Sequence, residues 1–284
     1  MKKILTIGNG FVSKHLNYPS MWSRLEFDEN QISNILDQYK PDVLINCIGK
    51  TGRPNIDWCE DHKEETVLAN TAIPILLASV CARKGIHLIQ IGSGCIFFGP
   101  SPRVERGGYM QEVIFDHGWD EEDFANPQSF YSKTKYACDL AIGNMSHVSL
   151  LRIRMPISTR NDQRNLINKL KSYSRVIDIP NSVTFMSDLS LFVDHVIKNN
   201  ITGIYHVTNP SPLTAAQVMM EYKKYYPEHT FEVITGEQLD KITLAKRSNC
   251  ILNTDKLAKT GFNMTSTKNA LAACMKEYVK NIED

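Results

Sequence analysis

Lys3-Ile4-Leu5-Thr6-Ile7-Gly8-Asn9-Gly10-Phe11-Val12-Ser13 is an apolar run that stops on two glycines. A strand ending in a glycine turn lets the backbone come close to a pyrophosphate, and free N–H groups at the start of a following helix then face the anion. Gly8, Gly10, Phe11 and Val12 are therefore candidate cofactor contacts. Two glycines in a tight turn are weak evidence alone, and Ser13 stands where a third glycine is usual. The residues that follow strengthen the reading. Gln31 to Tyr39 has helical periodicity, Val43 to Ile48 is a second apolar run, Glu65 to Ala82 is helical again, and His87 to Ile91 is a third run. This alternation predicts an α/β fold built on a doubly wound parallel sheet.

The pattern continues with a helix over Tyr131 to Ile142, a strand over Ser149 to Arg154, a helix near Leu166 to Tyr173 and a strand around Gly203 to Val207. A Rossmann-type cofactor domain is expected at 1–155 and a smaller C-terminal substrate-binding lobe at 156–284, with a late strand or helix returning to the main sheet. Asn46, at the end of the second apolar run, is a further candidate cofactor contact. An acidic residue about 20 residues past the glycine turn is the usual partner of an NAD ribose. Here the chain reads Trp22-Ser23-Arg24-Leu25-Glu26, so Ser23 and Arg24 are expected to receive a 2′-phosphate, favouring NADP(H), while nearby Glu26 leaves NAD(H) open. Phe98 to Ser129 is long and polar for a connection and reads equally as a cover over a site or as a surface insertion.

Composition narrows the function. A chain of 284 residues, 42% hydrophobic, holds one large α/β domain with a smaller lobe, so two activities would share a site. The formal charge is +1, without a basic stripe, and nucleic acid is not expected as a partner. The N-terminal apolar run is too short for a signal peptide, and the sequence shows no apolar stretch near the roughly 18 residues of a membrane span. Seven scattered cysteines lack metal-type pairing and point to reduced thiols in a cytoplasmic setting, with no metal site expected.

Tyr131-Ser132-Lys133-Thr134-Lys135 opens a helical stretch, and the i, i+4 spacing puts Tyr131 and Lys135 on one face. A lysine cation beside a phenol favours the phenolate, so the tyrosine can exchange a proton with a carbonyl or alcohol oxygen. Taken alone, the pair equally describes a half-buried tyrosine beside a solvated lysine. The third apolar run leads into Ser93-Gly94-Cys95. If the chain stays extended there, Ser93 and Cys95 face one pocket at the carboxyl end of the sheet, where ligands of open α/β folds bind.

Several further stretches are distinctive: Thr51-Gly52-Arg53-Pro54-Asn55-Ile56-Asp57-Trp58-Cys59-Glu60, Gly94-Cys95-Ile96-Phe97, Ser129-Phe130-Tyr131-Ser132-Lys133-Thr134-Lys135, Arg152-Ile153-Arg154-Met155-Pro156-Ile157-Ser158, Ile177-Asp178-Ile179-Pro180-Asn181-Ser182 and Arg247-Ser248-Asn249. With them the chain resembles the extended short-chain dehydrogenase/reductases, and among these the plant-type bifunctional UDP-4-keto-6-deoxyglucose 3,5-epimerase/4-reductases. The first loop departs from that family, whose members have a longer Gly-x-x-Gly-x-x-Gly turn, which leaves cofactor affinity and the choice between NADP and NAD open.

The resemblance implies a reductase triad of Ser93, Tyr131 and Lys135, with Tyr131 as proton donor and Lys135 holding the nicotinamide ribose. It implies Cys95 and Lys169 as the acid/base pair for epimerisation; without it, Lys169 reads as a solvated surface lysine. Arg53 and Arg247 suit a diphosphate because guanidinium forks match its oxygens. Asn55, Asn181 and Asn249 are candidates for hydrogen bonds to sugar or uracil, or for turn caps. Asn70 is expected to position the Lys135 region through water, or to be a packed helix amide. The resemblance further implies a UDP-4-keto-6-deoxy-hexose substrate made by a separate upstream 4,6-dehydratase, UDP-L-rhamnose as product, and a homodimer formed through helices flanking the active-site helix. Two rival readings remain: a 4-keto reductase without epimerase activity on UDP-, dTDP- or GDP-linked sugars, and a non-catalytic NADP-binding subunit.

Overall fold

A computed structural model describes residues 2–21, 28–102, 104–106 and 114–283. Its main sheet has six strands in the order β11-β7-β4-β3-β1-β2, with β1 (Ile4–Ile7), β2 (Ser20–Met21), β3 (Val43–Asn46), β4 (His87–Ser93), β7 (Val148–Ile153) and β11 (Gly203–His206). β1 lies parallel to β2 and β3, and β3 parallel to β4, with Thr6 opposite Ile45 and Ile45 opposite Ile89. Every residue of β3 and β7 is buried. This is why these strands read as unbroken apolar runs: a parallel sheet is covered on both faces.

The chain divides into two compact units, and neither is continuous in sequence. The first comprises 1–96, 125–152 and 190–205; the second comprises 97–124, 153–189 and 206–284. A single cut at 155 therefore misplaces one segment, while the expected late return to the main sheet is present. Residues 97–124 belong to the second unit. Residues 190–205 return to the first because β11 forms an edge of its sheet.

In the first unit α1 (Glu29–Tyr39) starts on Asp28, whose side chain accepts the Asn30 N–H, and stops at Lys40 in the left-handed region. α2 (Trp58–Asp61) and α3 (Lys63–Val67) lead through a five-residue π turn, Leu68–Ala72, into α4 (Ile73–Lys84), which ends on Gly85. The joined helix Lys63–Lys84 is long and apolar enough to cross a membrane by length and composition, contrary to the sequence expectation. Half of its apolar window is buried inside the protein, as in a core helix. Leu77 and Val80 pack there with Leu5, Leu36, Leu44, Leu88, Ile142 and Leu150. α5 (Phe130–Ile142) and α7 (Met186–Asn199) are the remaining long helices of the chain's middle.

The second unit holds three two-stranded pairings: β5 (Val104–Arg106) antiparallel to β6 (Ile114–Asp116), β8 (Pro156–Ile157) parallel to β10 (Thr184–Phe185), and β9 (Arg175–Ile177) parallel to β12 (Glu232–Ile234). Around them stand α6 (Leu166–Lys171), α8 (Ala215–Lys223), α9 (Gly236–Asp240), α10 (Asp255–Ala258) and α11 (Thr267–Glu283). Ile157, Ile167, Phe185, Met219, Met275 and Tyr278 anchor a separate core. The polar connection after Phe98 is fastened to this unit: Trp119 N–H donates to Ile251 O at 2.8 Å and its indole N–H to Gly99 O at 3.0 Å.

Candidate active site

The glycine turn separates into two roles. Gly8 has φ of +101°, and a Cβ there would lie 3.0 Å from the Cys47 carbonyl carbon, so Gly8 is required for β1 and the end of β3 to approach. A Cβ on Gly10 would meet nothing within 4 Å, so the space before it is open to a ligand. The turn leads into a short helical segment, the three-residue 3-10 turn Ser13–His15. Ser13 Oγ closes that turn on Gly10 O at 3.0 Å. Phe11 is buried against the His15 ring at 4.6 Å, and Val12 is half-buried. Asn46 is completely buried; its amide donates to Gln90 Oε1 at 2.7 Å and its oxygen accepts Ile48 N–H at 3.0 Å. Its side chain therefore braces the sheet interior at the end of β3. Ser23 and Arg24 lie outside the described residues.

α5 begins at a dense cap. Ser129 Oγ accepts Ser132 N–H at 3.1 Å, and Glu60, reaching from α2, accepts Phe130 N–H at 2.8 Å. Ser132 Oγ donates to Cys95 O at 2.6 Å, tying the helix's first turn to the segment after β4. That segment is not extended: Gly94–Ile96 forms a 3-10 turn, so the two-residue alternation stops at Ser93. Ser93 and Cys95 nonetheless stay together because Ser93 Oγ accepts Cys95 N–H at 3.2 Å.

Tyr131 is buried, with Ser93 and the Cys95 and Cys59 thiols close enough to act on its phenol. Burial pushes its phenol well above the usual range, the cysteines and Asp139 push the same way, and the Ser93 hydroxyl pulls it down. Lys135 is buried too, with Nζ donating to Ile91 O at 3.2 Å. Desolvation lowers its pKa, while Cys138, Asp139 and Cys47 act to raise it. Burial therefore dominates both groups in a way that spacing alone does not reveal.

Asn70 sits in the π turn, where the extra residue turns its side chain toward α5. Its amide donates to Thr134 Oγ1 at 3.2 Å and Lys50 O at 2.9 Å, and its oxygen accepts Lys50 N–H at 2.8 Å. A Cβ on Gly49 would lie 3.4 Å from Asn70 Oδ1 and 3.6 Å from Lys135 Nζ, so both side chains converge on that glycine. Asn70 thus braces the Lys135 turn by direct bonds where a water bridge was expected.

Arg53 is exposed, and Asn55 Oδ1 accepts Asp57 N–H at 2.8 Å, which makes Asn55 a turn cap in the loop after β3. In the second unit Asn181 and Asn249 meet directly, amide to oxygen at 2.9 Å. The sequence reading passed over the residue that gathers them. Arg154, 1% exposed, donates to Asn181 Oδ1, to Ser248 Oγ at 2.7 Å and to Ser248 O at 2.6 Å. Arg247 lies one residue before Ser248, half-buried, and donates to Ala245 O at 2.8 Å. Lys169 lies on α6, half-buried. Glu60, Ser132, Asp139 and Arg152 were also missed; the signal available for Asp139 was its position one helical turn after Lys135.

The family model for the RmlD substrate binding domain matches residues 20–280. A bifunctional dTDP-4-dehydrorhamnose 3,5-epimerase/dTDP-4-dehydrorhamnose reductase of Arabidopsis thaliana is 38% identical over 260 residues, covering 90% of this chain and 83% of that protein. A trifunctional UDP-glucose 4,6-dehydratase/UDP-4-keto-6-deoxy-D-glucose 3,5-epimerase/UDP-4-keto-L-rhamnose-reductase of the same plant is 37% identical over 87% of this chain, which spans only 36% of that longer protein. Among solved structures, the UDP-rhamnose synthase of Acanthamoeba polyphaga mimivirus matches with a TM-score of 0.86 and 28% identity, over 98% of this chain and 100% of that one. A dTDP-4-dehydrorhamnose reductase from Bacillus anthracis, solved in complex with NADP, shares the fold with a TM-score of 0.79 at 19% identity, over 98% of this chain and 99% of that one. By these matches the chain belongs to the RmlD family of dTDP-4-dehydrorhamnose reductase-like sugar-nucleotide reductases.

Proposed function

We propose that the protein converts a UDP-4-keto-6-deoxy-hexose to UDP-L-rhamnose in the cytoplasm, inverting C3 and C5 and then reducing the C4 ketone with NADP(H). The observation that carries this reading is the buried Tyr131 beside Ser93, with Lys135 on the same helix and Cys95 bound through its backbone to Ser93 and Ser132. The open face of Gly10 and the Lys135 ammonium suit a dinucleotide, and Ser23 and Arg24 are the candidates for a 2′-phosphate. When bound, the nicotinamide supplies the hydride for C4. Ser93 and Tyr131 hydrogen-bond the C4 oxygen, and Tyr131 protonates it as the ketone becomes an alcohol.

The same two donors stabilise the enolate that forms when a proton leaves C3 or C5, because the negative charge appears on the same oxygen in both steps. Cys95 and Lys169 are assigned the proton exchange at carbon, and Arg53, Asn181, Arg247 and Asn249 the sugar nucleotide. A separate 4,6-dehydratase supplies the keto sugar. Relatives carry names with both dTDP and UDP, so the test uses both nucleotides.

Purified protein is incubated with UDP- or dTDP-4-keto-6-deoxyglucose and NADPH in heavy water, and the product is read by NMR. UDP-L-rhamnose with deuterium at C3 and C5 is the expected result. Cys95→Ala is expected to lose the exchange. Tyr131→Phe is expected to lose about 10²- to 10⁴-fold in reduction rate. A reduced sugar with unchanged C3 and C5 configuration would leave a simple reductase. NADPH binding without turnover would favour the non-catalytic NADP-binding subunit.

A further inference from the structure

One turn beyond Lys135 on α5 lies Asp139, and it forms an ion pair with Arg152 of β7, carboxylate oxygen to Nε at 2.8 Å, with both side chains 2% exposed. Such a pair contributes little net stability, because removing two charges from water costs about as much as their attraction returns. Its place in the fold suggests another use. Arg152 runs along the end of β4: a Cβ on Gly92, the residue before Ser93, would lie 3.4 Å from Arg152 Cγ. Asp139 interacts electrostatically with both Lys135 and Tyr131.

We propose that Asp139 and Arg152 are positioning residues for the reductase site, holding Lys135 in its charged form and leaving the buried cluster one net positive charge beneath Tyr131. The charges explain why both partners are present. A buried ammonium without a carboxylate sheds its proton, so Asp139 is needed. Burial pushes the Asp139 carboxyl up while the Arg152 guanidinium and the Lys135 ammonium hold it down, and with both cations on one carboxylate the cluster keeps a positive charge in excess. The other groups facing Lys135 are thiols or neutral: Cys138 on its own helix, Cys47 after β3, the Ile91 carbonyl of β4 and the Asn70 amide of the π turn. Burial pushes the Cys47 and Cys138 thiols up to about 12, so neither supplies a negative charge at neutral pH. Asp139 is therefore the carboxylate acting on Lys135 from the helix that carries both.

This inference rests on reading Lys135 as the reductase lysine, and its test needs no sugar substrate. In protein labelled with ¹³C at lysine Cε and bound to NADP⁺, the Lys135 resonance, assigned by its loss in Lys135→Arg, is titrated with pH. Asp139→Asn is expected to lower the midpoint by about one unit, a tenfold change in proton affinity, and Arg152→Met to raise it. The double variant Asp139→Leu/Arg152→Met exchanges the pair for apolar side chains, a replacement that buried pairs tolerate, and is expected to lower the midpoint as well. The alkaline limb of kcat then moves to lower pH in both Asp139 variants, with KM for the sugar nucleotide unchanged. A midpoint unchanged in every folded variant, or moved the same way by Asp139→Asn and Arg152→Met, would overturn the proposal and leave a purely structural pair. Shifted midpoints in a protein that turns over no keto sugar would sink the functional reading while sustaining this one.

Discussion

His87 opens β4, and its Nε2 lies 2.6 Å from Ser149 Oγ. Ser149 has one hydroxyl proton and donates it to Ile201 O at 2.5 Å, so it accepts from His87, whose Nε2 carries a hydrogen. Burial lowers the imidazole pKa from 6.5 to about 4, with the Lys2 and His147 charges pushing the same way. The unfolded chain therefore binds a proton that the folded one refuses. The contribution is complete above pH 6.5 and is lost as pH falls through the window down to about 4. Thermal melts at several pH values in that window are expected to show a falling Tm, and His87→Gln, which keeps a donor for Ser149 but does not titrate, to flatten the fall. An unchanged slope would place the acid sensitivity elsewhere. A glycine contrast belongs beside it. Gly8→Ala meets the Cys47 backbone at a φ of +101° and is expected to cost folding, while Gly10→Ala meets nothing within 4 Å. The latter should keep its Tm and weaken NADPH binding, read by fluorescence titration.

The loop after β3 and helix α5 behave as one assembly. Gly52, at φ of +67°, has Asn55 O and Trp58 Cβ 2.5 Å from where its Cβ would stand, so only glycine allows the loop to close on itself. Lys50 Nζ lies 5.1 Å from the Trp58 ring, and Trp58 stacks on His62 at 3.9 Å. Glu60 then places a carboxylate on Phe130 N–H, at the positive end of α5. Glu60→Ala is expected to cost about 1 kcal/mol of stability by chemical denaturation, with a larger proportional fall in kcat than in NADPH affinity because Tyr131 follows the capped residue. Much of this assembly was legible in the sequence. The alternation of strands and helices and the Tyr131–Lys135 spacing are local patterns, and the structure reproduces both. What escaped depends on tertiary placement. The Glu60 cap spans 70 residues, the 3-10 turn at Gly94 has no periodic signature, and the π turn hides inside a normal helical stripe. Arg154 reads as an exposed strand residue until the Asn181 and Ser248 partners are known.

Each unit has its own apolar core, and their discontinuous boundaries carry no linker-like composition that a sequence reading could detect. The interior of the first unit does not account for all of its apolar residues. Val67, Leu68 and Ile75, on the helix from Lys63 to Lys84, are 40%, 41% and 36% exposed, and Leu140 on α5 is 65% exposed. Leu68 lies in the π turn and Ile75 just beyond it on the same helix. α4 and α5 pack side by side, so these side chains belong to neighbouring surfaces of one unit. Single exposed apolar residues are ordinary, but several on adjacent helices form the kind of patch that a second copy covers in a twofold, self-complementary interface. The dimer expected from the family resemblance is therefore tested at this face. Ile75→Glu/Leu140→Glu puts two like charges on each copy, four across the interface. Because both side chains are largely solvated within the single chain, the fold should survive. Sedimentation velocity is expected to show a dimer for the native protein and a monomer of unchanged circular dichroism for the variant. A variant that remains dimeric would move the interface to another face, and a native protein that is monomeric at every concentration would leave these residues as ordinary surface.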